Sequence, residues 1–394
     1  MEEVIVKVTE ENYKAIMLLH ALGDTIGFKN AEWEFNYFKK NSDYRTTLEI
    51  VFEFISLGGI SGINLKDWII SDDTIIHIAV AKALLHDPLD KDINNNDYKK
   101  TFKKNIIEAL QEIREDESKD KRENLKENKI KFRAVGIRTV ESVEAWADKD
   151  SQKIGYVSSG GNGVAMRSLC IGAFYHKKSD LDKLIKYSIE TGKLTHPSPI
   201  GYLGGLTSAY FTHLALNKVD LHEWPALLIK LVESEKILEY IASDSHDEII
   251  GYRRFISLWK KYIDLRFKDG KPIFAKSHAN LLSRSKFFYD FTLNYDEFYA
   301  EKTKDEYSAF TVGGSGVTSM LMAYDALLDA KDSWEKLIYY GMLHNGDSDT
   351  VGAIAGGLYG AMYGFKNVPE HMLKNIEKKE ELLNLSEKIF KKTH

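Results

Sequence analysis

The chain has 394 residues, 43% of them hydrophobic and 29% charged, with a net charge of −5 at pH 7. That composition belongs to a globular protein able to bury a substantial core, and the mildly acidic balance excludes a general nucleic-acid or anionic-membrane surface. The one cysteine, Cys170, cannot form an internal disulfide and reads as a small buried hydrophobe. The first seven residues carry two glutamates and no long apolar run, which predicts a cytoplasmic protein without a signal peptide.

Residues 11–27 read as a helix with Ala15, Leu18, Leu19 and Leu22 on one face. It is expected to end in Gly23-Asp24-Thr25-Ile26-Gly27, where Asp24 reads as a turn aspartate bonded to its own backbone, with support of a nearby site as the weaker alternative. Ser71-Asp72-Asp73-Thr74 then opens a helix marked by Ile75, Ile76, Ala79, Val80, Ala83 and Leu84. Residues 87–133 form a charged surface insertion by composition. They hold a polar loop at 92–97, an amphipathic helix through Phe102, Ile106, Leu110 and Ile113, and a mixed-charge stretch at 114–131 that reads as solvated helix or loop.

Gly160-Gly161-Asn162-Gly163 is a glycine-rich turn entering a helix, a backbone that can cradle phosphate through its N–H groups. It lacks the P-loop lysine and the Rossmann spacing, and a plain turn explains it equally well. A helix through Leu184 and Ile189 is expected to stop at Gly192. His196 follows beside Pro197 and reads as structural rather than as a metal ligand. Helical patterns continue over 202–216 and 225–242, and residues 247–275 include Trp259, Tyr262 and Leu265, then a turn at 269–272. A second glycine-rich turn, Gly313-Gly314-Ser315-Gly316, precedes a helix through Met320, Ala323, Tyr324 and Leu327, and Asp332-Ser333-Trp334 caps the next.

The chain is organised around Gly346-Asp347-Ser348-Asp349-Thr350, at the start of an apolar segment. Two carboxylates and a hydroxyl exceed what helix capping needs, and they are hard oxygen ligands of the kind Mg²⁺, Mn²⁺ or Ca²⁺ prefers. Gly352, Gly356, Gly360 and Gly364 recur every fourth residue, a smooth helical stripe that predicts close approach of another backbone. The segment is too short for a membrane span and opens on carboxylates. Because 71–74 repeats the same chemistry, two oxygen-rich helix starts are expected to face each other around one or two divalent cations. An aspartate-nucleophile phosphatase would need an α/β domain after the Asp347-x-Asp349 pair, and an EF-hand loop would need a glutamate at its twelfth position. Neither is present. No linker rich in Pro, Gly or Ser divides the chain, so the expectation is one all-α domain over residues 1–394, a large orthogonal helical bundle with a metal site at helix N-termini.

These motifs, in this order, resemble the ADP-ribosylglycohydrolase family over essentially the whole chain. Asn30-x-x-Trp33-Glu34-Phe35, Gly201-Tyr202-Leu203-Gly204 and Ala323-Tyr324-Asp325-Ala326 are most similar to its ADP-ribosylarginine hydrolase branch. The serine-directed branch has a catalytic glutamate where this chain has Ala31. Phe310-Thr311-Val312 and Val317-Thr318 depart from the arginine branch, which bears on adenosine and acceptor contacts. The resemblance implies two Mg²⁺ ions (or Mn²⁺) held by Ser71, Asp72, Asp73, Asp347, Asp349 and Thr350, with Asp72 or Asp73 as the base. It also implies substrate contacts from Gly160, Gly161, Asn162, Gly163, His196, Gly314, Ser315 and Gly316. The implied reaction is hydrolysis of the ribose–guanidinium bond of ADP-ribosylated arginine. Serine-linked or O-acetyl-ADP-ribose hydrolysis, or non-catalytic ADP-ribose binding, is the alternative. The expected partners are ADP-ribosylated proteins and ADP-ribose, with no nucleic acid or membrane, and the protein itself is expected to be a monomer.

Overall fold

The computed structural model describes residues 8–36, 44–86, 97–123 (side chains to 118), 132–147, 160–241, 245–273, 278, 280–296 and 312–394. In chain order the helices are α1 (Glu10–Phe28), α2 (Thr46–Ser56), α3 (Gly59–Gly62), α4 (Asp72–His86), α5 (Asp97–Glu123), α6 (Ile137–Ala147), α7 (Leu169–Phe174), α8 (Leu181–Lys193) and α9 (Pro199–Leu216). They continue with α10 (Trp224–Val232), α11 (Glu235–Leu238), α12 (His246–Arg266), α13 (Leu281–Tyr295), α14 (Thr318–Ala330), α15 (Trp334–Gly341), α16 (Ser348–Tyr363) and α17 (Lys379–Thr393). Among the described residues the strands are limited to β1 (Phe267–Lys268) and β2 (Lys271–Pro272), an antiparallel pair with Phe267 opposite Pro272. The fold is the all-α bundle that the helical periodicities predict. Asp269 and Gly270 turn the small hairpin with φ of 52° and 72°, the left-handed backbone a two-residue loop requires.

The centre of the fold is the antiparallel pair α1 and α16. Gly23 lies against the carbonyl of Gly352, Gly27 against Ser348, Gly356 against Leu19 and Gly360 against Ala15. A Cβ at Gly23 would stand 2.0 Å from the Gly352 oxygen, and one at Gly356 2.1 Å from the Leu19 oxygen. Glycine costs about 1 kcal/mol per helix position relative to alanine; here that cost is offset by backbones that touch along about three helical turns. Both helices are buried on nearly every side, α1 from Ala15 to Phe28 and α16 from Ser348 to Ala361, as befits helices apolar all round.

Three expectations are corrected here. Gly364 does not extend the stripe; it ends α16 with φ of 64°. Gly23-Asp24-Thr25-Ile26-Gly27 is not a turn but the last part of α1, so the second glycine-rich face belongs to the same interface. Gly192 is not a stop signal: α8 runs through it, and a Cβ there would meet Tyr202 Cβ at 2.9 Å.

One contiguous apolar core runs from Val8 to Ile389. α5 joins it through Phe102, Ile106, Leu110 and Ile113, all buried, so the amphipathic reading of this helix holds. Residues 87–96 and 124–131 lie outside the described residues. Part of the stretch read as a charged surface insertion is in fact interior. Arg133 is buried, donates to Glu377 at 2.8 and 2.9 Å, and pairs with Asp116 at 3.3 Å. A second buried charge cluster lies elsewhere: Asp325 accepts hydrogen bonds from Tyr262, Arg266 and Arg284, with His278 Nε2 at 3.1 Å. Burial pushes its pKa up, but Arg284, His278 and Arg266 more than offset this and hold the carboxyl well below the usual range. No helix of the described residues is long and apolar enough to cross a membrane.

Candidate functional site

The N-terminus of α4 is capped from another helix. The Asp24 carboxylate accepts the N–H of Ser71 at 3.0 Å and the N–H of Thr74 at 3.1 Å, and Thr74 Oγ1 donates to it as well. These are the orphan donors of a helix start, normally satisfied by a local cap. Asp24 is therefore a support of the site, and the turn-aspartate reading is overturned because α1 continues past it. Ser71 Oγ accepts from the Asp73 N–H at 3.1 Å. Asp72 donates its N–H to Arg133 O at 3.0 Å, and its Oδ2 accepts the Gly136 N–H at 3.2 Å. Residues 134–139, at the start of α6, thereby become a wall beside the α4 carboxylates.

The second helix start is held by the same helix α1, one turn further on. Ser348 Oγ donates to Gly27 O at 2.7 Å. Asp347 donates its N–H to Val312 O at 2.9 Å, and its Oδ2 accepts from Asn162 Nδ2 at 2.8 Å. Asp349 Oδ1 accepts the Thr350 N–H at 2.9 Å. Asp24 and Gly27 thus fasten the two carboxylate-bearing helix starts to one rigid element.

Between them lies a cavity of about 340 Å³, whose lining includes Asp72, Asp73, Asp347, Asp349 and Thr350. Of the six expected ligands only Ser71 is not among the lining residues; its hydroxyl is turned to the Asp73 amide. The lining also includes Glu34, absent from the expected set. Oxygens of Glu34, Asp347 and Asp349 lie within 4.8 Å of one another. Three bonds place Glu34: Trp33 Nε1 to Glu53 Oε2 at 2.9 Å, the Phe35 N–H to Gly346 O at 2.9 Å, and the Ile69 N–H to Asn30 Oδ1 at 2.8 Å. The sequence signal available was a carboxylate inside the aromatic-flanked run Trp33-Glu34-Phe35.

Burial raises the pKa of Asp72, Asp73 and Asp349 well above the usual range, and carboxylate neighbours push them further up. Asp347 is shifted upward too, and Asp24 to about 6, both chiefly by burial. Asp73 Oδ2 is buried with no hydrogen-bond partner among the described residues. Clustered hard oxygens, mutual repulsion and an unsatisfied carboxylate oxygen together fit a divalent cation.

The two glycine-rich turns meet beside this centre. Gly161 and Ser315 form an isolated antiparallel bridge; the Asn162 N–H donates to Gly314 O at 3.2 Å and the Gly316 N–H to Gly160 O at 3.1 Å. Two of the N–H groups expected to cradle phosphate, those of Asn162 and Gly316, are thus used to zip the turns together. Gly161, Asn162, Gly163 and His196 line the cavity, whereas Gly160, Gly314, Ser315 and Gly316 do not. Ser315 Oγ instead accepts the Thr318 N–H at 2.9 Å, at the start of α14. Nor do residues 163–167 form the expected helix start; the chain turns there and becomes helical at Leu169. His196 is buried, and burial lowers its pKa to about 3, so the ring is neutral.

A family model for ADP-ribosylglycohydrolases matches residues 7–394. A Dictyostelium discoideum protein named ADP-ribosylhydrolase ARH1 is 33% identical, over 97% of this chain and 94% of its own length. The mouse protein named ADP-ribosylhydrolase ARH3 is 26% identical over 56% of this chain and 54% of its own length. A solved structure titled ADP-ribosylglycohydrolase-related protein complex shares the fold, with a TM-score of 0.57 at 16% identity, over 98% of this chain and 99% of that one. A model matched over nearly the whole chain, and a relative similar from end to end, agree with the paired carboxylate helix starts: this chain belongs to the ADP-ribosylglycohydrolase family.

Proposed function

We propose that the protein removes mono-ADP-ribose from arginine side chains by hydrolysing the bond between the anomeric ribose carbon and a guanidinium nitrogen. The observation that carries this reading is the convergence of Asp72 and Asp73 from one helix start, and Asp347 and Asp349 from another, on one cavity with Glu34. The end-to-end similarity to a protein named ADP-ribosylhydrolase ARH1 supports it.

The donor set Asp72, Asp73, Asp347, Asp349 and Thr350, with Glu34 added, suits two Mg²⁺ ions. When bound they would orient the ribose hydroxyls and offset the carboxylate charge. The chain's own residues do the proton work. A water attacks the anomeric carbon as the carbon–nitrogen bond breaks and oxocarbenium-like charge develops on the sugar. Glu34 and Asp73 are the carboxylates placed to accept the water proton; Asp72 is partly engaged by the Gly136 N–H. The guanidine leaves once protonated, and a cavity carboxyl that has taken up a proton is a suitable donor. Residues 134–139 flank the cavity, and Asn162 ties the neighbouring glycine turn to Asp347.

The test is release of ADP-ribose from arginine-linked and serine-linked substrates, each with Mg²⁺, with chelator, and with Asp72→Asn or Asp349→Asn. Metal-dependent cleavage of the arginine link alone, lost in both variants, is the expected result. Cleavage of the serine link alone overturns the specificity. Tight ADP-ribose binding without turnover of either overturns the catalytic reading.

A further inference from the structure

Arg167 is 1% exposed, yet no carboxylate among the described residues pairs with it. Its Nη2 donates to Thr195 Oγ1 at 2.8 Å and Thr191 O at 3.3 Å, its guanidinium lies 5.2 Å from the Phe102 ring centroid, and its Nη1 has no hydrogen-bond partner among the described residues. A buried cation without a counter-ion is costly, so its retention calls for a role. The neighbouring bonds indicate one. Thr195 Oγ1 lies 2.9 Å from His196 Nδ1 and 3.4 Å from Gly192 O. Arg167 occupies one lone pair of that hydroxyl, and of the two acceptors within reach of its single proton His196 Nδ1 is the nearer. When the hydroxyl donates to Nδ1, the other ring nitrogen, Nε2, carries the ring's hydrogen. It faces the cavity wall, 3.6 Å from where a Cβ on Gly161 would stand, and Gly163 leaves room for the ring, since a Cβ there would come within 2.8 Å of His196 Cε1.

We propose that Arg167 and Thr195 are positioning residues that fix His196 as a neutral, Nε2-protonated hydrogen-bond donor to a phosphate oxygen of the bound ADP-ribosyl group. The phosphate is preferred over other acceptors because the charges acting on this ring are those of Arg167 and of Arg138, a cavity-lining cation paired with Glu141 at 2.5 Å. Two guanidinium groups thus lie near the His196 end, Arg138 in the lining and Arg167 behind the ring, and the carboxylates lie at the other end, an order that matches a ligand with phosphates at one end and ribose hydroxyls at the other. The ring does not exchange a proton in the reaction; its donor state is set from behind.

The choice of ligand rests on the proposed function, whereas the state of the ring does not, and the experiment separates them. Long-range proton–nitrogen NMR of the full chain with ¹⁵N-histidine, His196 being assigned with His196→Gln, reads the tautomer directly. The neutral Nε2–H form is expected in the wild type and in Thr195→Ser, and a mixture in Thr195→Val. ADP-ribose affinity, measured by calorimetry, is expected to fall about three- to tenfold in Thr195→Val and to recover in Thr195→Ser. Displacement of bound ADP-ribose by adenosine is expected to be unchanged in Thr195→Val relative to its new ADP-ribose affinity. An Nδ1–H or charged ring in the wild type overturns the proposal, as does Thr195→Val binding as tightly as wild type. Adenosine weakened to the same degree overturns the phosphate assignment. An Nε2–H ring in a wild type that binds no ADP-ribose overturns the function reading and the ligand, and leaves the ring assignment standing.

Discussion

Removal of divalent metal is expected to destabilise the protein in a way that grows with pH. The carboxylate oxygens of Glu34, Asp347 and Asp349 lie within 4.8 Å of one another. Two full charges at that spacing repel by about 3 kcal/mol at an effective dielectric near 20, so the metal-free cluster retains protons. An aspartate whose folded pKa is raised stabilises fully below its unfolded value of about 4, and that stability is lost as pH rises through the folded value. For Asp24 the folded value is about 6, and Asp72, Asp73 and Asp349 are raised well above the ordinary carboxylate range. Bound Mg²⁺ neutralises this repulsion. At a hundred times its dissociation constant it stabilises by about 2.7 kcal/mol. For 394 residues the unfolding entropy is about 0.8 kcal/mol/K, giving a rise in Tm of about 3 °C.

The assay is thermal unfolding with Mg²⁺ and with chelator across pH 5 to 8. Buried histidines oppose the aspartate trend, because His20 and His196 have pKa values lowered to about 4 and about 3 by burial, and they lose stability as pH falls. Their contribution cancels in the difference between the two curves at each pH. That difference is expected to widen with pH and to vanish in Asp349→Asn, whose chelator-treated form is as stable as wild type or more so. No Mg²⁺ response at pH 8, or an undiminished response in Asp349→Asn, refutes the reasoning.

Three further outcomes are expected. Glu34→Gln keeps ADP-ribose binding within a few-fold but lowers kcat at least about a hundredfold, the scale of a lost general base; single-turnover hydrolysis measures it, and an unchanged rate removes Glu34 from the chemistry. Gly23→Ala forces a Cβ to 2.0 Å from Gly352 O, and urea denaturation is expected to show a loss of about 1–3 kcal/mol or more. Asp325→Asn leaves Arg266 and Arg284 without their shared buried partner and is expected to cost about 3–5 kcal/mol, with little change in the KM of the remaining folded enzyme.

How much was legible in the amino-acid order is best seen at particular residues. Asp72, Asp73, Asp347 and Asp349 stood out because hydroxyl-and-carboxylate pairs before apolar runs are local patterns. Helix starts are local too, being set by dihedral and capping preferences within a few residues. The buried glycine stripe at 352, 356 and 360 was legible for the same reason, since its period is that of a helix. Gly364 was misplaced because glycine serves equally as a packing surface and as a helix terminator, and the spacing does not distinguish them.

The tertiary structure decided what depends on partners distant in sequence. Asp24 became a cap for Ser71 and Thr74 only once α1 was packed across α4. Gly23 and Gly27 became an interface only once α16 lay against them. Glu34 joined Asp347 and Asp349 across more than three hundred positions of chain, and Gly314 and Ser315 closed on the first glycine turn instead of lining the cavity. Local periodicity specifies which residues can start, cross or end a helix. Which carboxylates share one cavity, and which backbone N–H groups are already spent, follows from long-range packing, where burial and hydrogen-bond satisfaction select the partner.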